Sequence, residues 1–114
     1  MTRVARYDLL YKGCYAHVIS RSIRKIKLFK NEEDFTKFKE FLLIAKKKGK
    51  FKVFHYCIMQ THFHLAVEMG DIQEFSCAMR DIKRSYVNWF HTKYKLSGSM
   101  WRERFKSLLI ENEN

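Results

Sequence analysis

The sequence contains no proline and only four glycines among its 114 residues. No Gly-, Pro- or Ser-rich stretch divides it, so no linker is expected and residues 1–114 read as one domain. Cysteine is scarce as well. Cys14, Cys57 and Cys77 are odd in number and widely spaced, with no Cys-x-x-Cys pair. That pattern excludes a disulfide framework and leaves buried free thiols as the expectation. No run approaches the ~20 apolar residues of a membrane span. The basic stretch 1–12 also lacks the apolar centre of a signal peptide. A cytoplasmic protein with no membrane partner is therefore expected. Acidic side chains are the last shortage, with 12 against 23 basic ones and a net charge of +11. Such an excess on a small domain is a common footprint of nucleic-acid binding. It does not separate DNA from RNA, and a solubilising surface contributes to the same number.

What the chain does have is apolar mass, with 46% hydrophobic and 16% aromatic residues. That is enough to build one modest core and argues against disorder. The most informative segment is His62-Phe-His-Leu-Ala-Val-Glu-Met69, which alternates strictly. Phe63, Leu65, Val67 and Met69 share one parity, and His62, His64, Ala66 and Glu68 share the other. A period of two marks a half-buried strand. The two imidazoles then project from one face, where neutral imidazole nitrogen suits a divalent metal. The plainer reading is two polar residues on the wet face of a strand, since two ligands do not complete a site.

The remaining elements follow from local signals. Tyr15 to Arg21 reads as a first strand, followed by a basic loop through Arg24, Lys25 and Lys27. Asn31 is a good helix N-cap, with Glu32, Glu33 and Asp34 in the first turn where the helix dipole favours anions. Phe35, Phe38, Phe41, Leu42 and Ala45 mark the apolar face. Lys46, Lys47 and Lys48 close this helix by complementing its dipole, and Gly49 is placed to end it. Phe51 to Met59 reads as a second strand, and Gln60-Thr61 as the turn into the histidine strand. Gly70 and Asp71 end that strand, and Asp71 with Glu74 forms a capping pair. From Ile72 to about Lys95, residues Phe75, Met79, Ile82, Tyr86, Trp89 and Phe90 recur at helical spacing. Leu96-Ser-Gly-Ser99 breaks this helix, and Phe105 to Ile110 can form a last strand. The order β-α-β-β-α-β predicts an α+β, ferredoxin-like sandwich. Its four-stranded antiparallel sheet carries both helices on one face and the histidine strand at its centre.

Four ordered blocks then resemble those of the REP-associated tyrosine transposases, a single-domain branch of the HUH endonucleases. They are Ala16-His-Val-Ile-Ser-Arg21, Tyr56-Cys-Ile-Met-Gln-Thr-His-Phe-His-Leu65, Met79-Arg-Asp-Ile-Lys-Arg-Ser-Tyr86 and Ser97-Gly-Ser-Met-Trp-Arg-Glu-Arg-Phe-Lys-Ser107. The resemblance implies that His62 and His64 hold Mg²⁺ or Mn²⁺ against a scissile phosphate. It also implies that a tyrosine attacks to form a 5′-phosphotyrosine, and that the partner is hairpin or single-stranded DNA at transposon or repeat ends. Three departures stand out. Gln60-Thr61 replaces the family's usual Pro-Asn turn, and His91 replaces an Asn after the aromatic pair of the second helix. The family's nucleophile lies in a helix beyond the Trp-x-x-Arg-Phe block, whereas this sequence stops at Asn114. The expectation is a platform lacking its nucleophile, with Tyr86 the substitute weighed and a core position its competing assignment.

Arg21, Arg24, Lys25 and Lys27 are the expected phosphate contacts. Trp101, with Arg102 and Arg104, offers rings and guanidinium planes for stacking on unpaired bases. The competing assignments are a solvated loop for the first set and a tryptophan closing the core edge for the second. Lys83 and Arg84 read as a solvated helix face, His17 as a structural residue or one behind the ligands, and Glu68 as a possible extension of the metal shell. Two alternatives stay open. One is a noncatalytic nucleic-acid-binding module of RRM-like topology, although His62 and His64 stand where an RRM carries aromatics. The other is a zinc site from His55, Cys57, His62 and His64, which depends on a hairpin register the sequence leaves undecided.

Overall fold

A computed structural model describes residues 12–102 and 106–110. Strand β1 is Tyr15–Arg21, helix α1 Glu32–Gly49, strand β2 Lys52–Ile58, strand β3 His62–Glu68, helix α2 Ile72–Tyr94 and strand β4 Lys106–Ile110. The strands form one antiparallel sheet in the order β2-β3-β1-β4. The histidine strand is thus central, hydrogen-bonded on both edges.

Alternation in the sequence becomes two different faces. Ala16 and Val18 of β1 and Phe63, Leu65 and Val67 of β3 are fully buried, while the residues between them are half-exposed. The helices cover the buried face: Phe38 of α1 meets Phe63 at 4.8 Å between ring centroids. Phe75, Met79, Ile82, Tyr86 and Phe90 of α2 complete the same core. The opposite face of β1 and β3 carries His17, His62 and His64.

The caps form as their residue types dictate. Asn31 accepts from the Asp34 N–H and Asp71 from the Glu74 N–H, so each helix start is satisfied by a side chain. The end of α1 differs from expectation. Gly49 is the last helical residue, and Lys50 takes the left-handed conformation at φ 51°. Gly49 is needed for space instead, because a Cβ there would stand 2.9 Å from the Ala78 Cβ and 2.8 Å from the Phe51 ring.

Asp34 does more than complement a dipole. It is fully buried, and its carboxylate accepts from the Lys30 N–H at 2.9 Å, the Tyr94 hydroxyl at 2.7 Å and Lys93 Nζ at 2.7 Å. Lys93 also reaches Glu33 at 2.6 Å. The start of α1 is thereby tied to the end of α2. Burial works to raise the Asp34 carboxyl, but the donors from Lys93, Tyr94 and Lys30 outweigh it and hold the pKa below the ordinary value.

Two expectations about burial are corrected. Lys83 is buried, with its ammonium 5.1 Å from the Trp101 ring centre, because it lies four residues after Met79 and three before Tyr86, on the apolar stripe. Cys57 and Cys77 are exposed and only Cys14 is buried. The first of these lies on an edge strand, and the second lies off the buried stripe of α2.

Candidate metal and nucleic-acid site

The β2–β3 register places Cys57 opposite His64, and the β1–β3 register places Arg21 opposite His62. The rings of His62 and His64 stand edge to face with centroids 4.9 Å apart. Each has its Nδ1 engaged. Thr61 Oγ1 lies 3.1 Å from His62 Nδ1, and His17 Nε2 lies 3.1 Å from His64 Nδ1. With a proton on each Nδ1, Thr61 and His17 accept, and the Nε2 lone pairs of both histidines stay free for a metal. Fixing a ligand's tautomer through its other nitrogen is how residues behind the ligands tune a metal site. Thr61 belongs to the turn that departs from the family's Pro-Asn pattern, so the departure itself supplies an orienting hydroxyl. Burial first, then the neighbouring His17, His62 and Arg21, lowers the His64 pKa and keeps the imidazole in its ligand form.

Among the described residues no three His, Cys, Asp or Glu side chains are placed to hold one metal. His55, Cys57, His62 and His64 therefore do not assemble the closed set a structural zinc needs. The Cys57 sulfur instead lies 3.6 Å from that of Met59. Two oriented imidazoles do fit an ion that leaves most of its coordination to phosphate oxygens and water.

Beside His62 lies a cleft of about 540 Å³ lined by Arg21, Ser22, Arg24, Lys25, Thr61 and Arg102. Backbone bonds build it: Ser22 N–H donates to the Thr61 carbonyl, Ile23 N–H to Met100 and Arg102 N–H to Arg21. Residues 100–102 are thereby laid alongside the end of β1. Arg24 and Lys25 both adopt left-handed backbone, at φ 48° and 56°. Such a conformation costs a non-glycine residue on the order of 1 kcal/mol and persists where its surroundings impose it. Buried Ser22 Oγ has no hydrogen-bond partner among the described residues. The lining thus gathers four cations, Arg21, Arg24, Lys25 and Arg102, a set suited to a phosphate.

The structure does not bring every expected residue here. Lys27 is exposed but does not line the cleft, and Arg104 lies outside the described residues. Trp101 belongs to the other side of the sheet. Its ring meets Phe63 edge-on at 5.6 Å, and its Nε1 donates to the Lys83 carbonyl at 3.1 Å. The indole is taken up by the core edge, because the bridge between Ser22 and Trp101 turns it toward the helices. Tyr86 is likewise committed. It is fully buried and its hydroxyl donates to the Leu28 carbonyl. Burial first, then the Asp34 charge and Tyr94, pushes its pKa far above that of an ordinary phenol. A nucleophile must be accessible and readily ionised, and Tyr86 is neither.

An α+β sheet with an oriented histidine pair beside a cationic cleft is a platform suited to phosphodiester chemistry. The model of the IS200-like transposases matches residues 10–114, and the chain belongs to that family. Among solved structures, it is similar to a REP-associated tyrosine transposase bound to a REP hairpin, with a TM-score of 0.71 and 20% identity over 98% of this chain. The chain spans 64% of the length of that transposase. A second similar structure is a proposed transposase from Deinococcus radiodurans, with a TM-score of 0.62 and 13% identity. That match covers 97% of this chain and 87% of the other. No curated protein sequence matches. Among the described residues no helix is long and apolar enough to cross a membrane.

Proposed function

We propose that this chain is a metal-assisted DNA-processing platform that binds hairpin or single-stranded DNA ends for strand cleavage and transfer. The observation that carries the proposal is the oriented pair His62 and His64 opening beside the Arg21–Arg24–Lys25–Arg102 cleft. On this reading the strand order β2-β3-β1-β4 is a ferredoxin-like sandwich whose helix-free face is the working face. The scissile phosphate lies between the histidines and the cleft. His62 and His64 hold Mg²⁺ or Mn²⁺ through Nε2, with Thr61 and His17 fixing their rings. The bound ion supplies charge neutralisation at the phosphoryl oxygens. Arg21, Arg24, Lys25 and Arg102 bind and orient the flanking phosphates. The attacking tyrosine of the family is supplied from outside the buried core, because Tyr86 of α2 is packed inside it with its hydroxyl on the Leu28 carbonyl.

The test is hairpin-DNA binding against salt for the wild type and for Arg24→Gly. Glycine accepts the left-handed backbone, so the fold is retained while one cation is removed. The plot of log affinity against log salt should flatten by about one unit, and affinity should fall. An unchanged slope removes Arg24 from the interface. A wild type that binds hairpin, single strand and plain duplex equally reduces the reading to nonspecific charge. Hairpin binding that is indifferent to divalent ions, with no processing in their presence, favours a noncatalytic module instead.

A further inference from the structure

The most exposed aromatic ring of the sheet lies away from the cleft. Phe54 is 58% exposed on the edge strand β2. A solvated phenylalanine there is a liability, since an exposed apolar edge invites aggregation. The backbone nevertheless presents it deliberately. The β2–β3 register shifts between Val53 and His55, which pair with the consecutive residues Val67 and Ala66. Phe54 is left outside the ladder as a bulge, a device that re-aims side chains. Its ring meets that of Tyr15 at 5.4 Å between centroids. Tyr15 shares the half-exposed parity of His17 on β1, so this contact lies on the same sheet face as the histidines. Strand β3 runs between the two rings, with Ala66 pairing both His17 and His55. That short side chain leaves room for the rings to come together above it.

We propose that Phe54 and Tyr15 form a stacking platform for unpaired bases of DNA that crosses the open sheet face from His62 and His64. The inference rests on the DNA-processing function proposed above and adds where the single-stranded part lies. Tyr15 pairs with Glu68, four residues beyond His64. At ~3.3 Å per residue the platform is roughly 13 Å from the histidines, which about four stacked nucleotides cover at ~3.4 Å each. The charge distribution agrees with that direction. Cationic residues line the cleft beside His62, whereas at the platform end Lys52 stands opposite the acidic Glu68 in the strand register. Phosphates are held at the first end and base faces at the second. Aromatic faces accept any base, so the platform takes a single-stranded flank with little sequence preference.

The experiment compares two labelled DNAs, a blunt hairpin and the same hairpin with a four-nucleotide single-stranded flank. Wild type, Phe54→Ala and Phe54→Tyr are titrated with each. Because Phe54 is exposed, both variants should keep the wild-type melting temperature. The expected result is tighter wild-type binding to the flanked hairpin, a gap reduced about tenfold in Phe54→Ala and restored in Phe54→Tyr. Blunt-hairpin binding should be the same in all three. If Phe54→Ala weakens both DNAs equally, or neither, the platform is overturned while hairpin recognition stands. If the wild type binds neither DNA, the proposed function falls with it. If Phe54→Ala only dissolves a self-associated form and leaves DNA affinity untouched, Phe54 serves pairing between copies and the platform is overturned.

Discussion

Phe63 and His64 are neighbours on one strand, yet they belong to two regions with opposite demands. On the helix-covered face, Phe63 is packed by Phe38 and Trp101, and the Tyr86 hydroxyl and the Trp101 indole N–H are committed to structural bonds. On the open face, His62 and His64 are half-exposed and held through one nitrogen each while the other stays free. A fold is made by satisfying groups completely, and a site by leaving chosen groups unsatisfied. The same distinction divides residues 100–102: the backbone there serves both faces, sending Trp101 into the core edge and Arg102 into the cleft.

That division is best broken first at Phe63. Phe63→Ala should cost about 3–5 kcal/mol, since it empties a fully packed position beneath both Phe38 and Trp101. Denaturant unfolding measures this, and a cost under 1 kcal/mol would mean that the helices do not pack as described.

Asp34 comes next, with about 2–3 kcal/mol expected for Asp34→Ala, because Tyr94 and Lys93 lose a buried acceptor. Its carboxyl titrates below the ordinary value in the folded state. The stability it contributes is therefore fully present above the unfolded value near 3.8 and is lost as pH falls through the lower folded value. Asp34→Asn should flatten the acid limb of a stability–pH curve, and an unchanged limb would remove Asp34 from the account.

Trp101→Phe is the smallest effect and the sharpest comparison. Loss of the bond to the Lys83 carbonyl should cost about 1 kcal/mol, while hairpin affinity stays at the wild-type value. A DNA defect without a stability defect would return the ring to the nucleic-acid interface.

These regions were not equally legible in the sequence. Strict alternation from His62 to Glu68, the Asn31 and Asp71 caps and the 3.6-residue stripe of α2 each have a short-range cause, so the elements could be read directly. The histidine pair was visible for the same reason. What escaped depends on tertiary neighbours. Nothing local says that Asp34 will meet Lys93 and Tyr94 some sixty residues away. Nor does local pattern show that the strand bridge at Ser22 turns Trp101 inward, or that a bulge swings Phe54 toward Tyr15. Lys83 was legible in principle, because its spacing from Met79 and Tyr86 places it on the apolar stripe, but residue type overrode position. The orienting role of Thr61 shows only once the turn before β3 is seen, with its hydroxyl against His62 Nδ1.

The central claim is that the open face of β3 holds a divalent ion while the covered face holds the fold. Calorimetric titration of Mn²⁺ into the hairpin-bound protein tests it most directly, run on wild type, His64→Ala and Thr61→Ala with melting temperatures recorded alongside. The account predicts that His64→Ala abolishes the binding heat and that Thr61→Ala weakens affinity about tenfold by releasing the His62 ring. Both variants should melt within about 3 °C of wild type, because neither side chain lies in the core. Wild-type Mn²⁺ affinity in His64→Ala, or a collapse of its melting temperature, would contradict the claim.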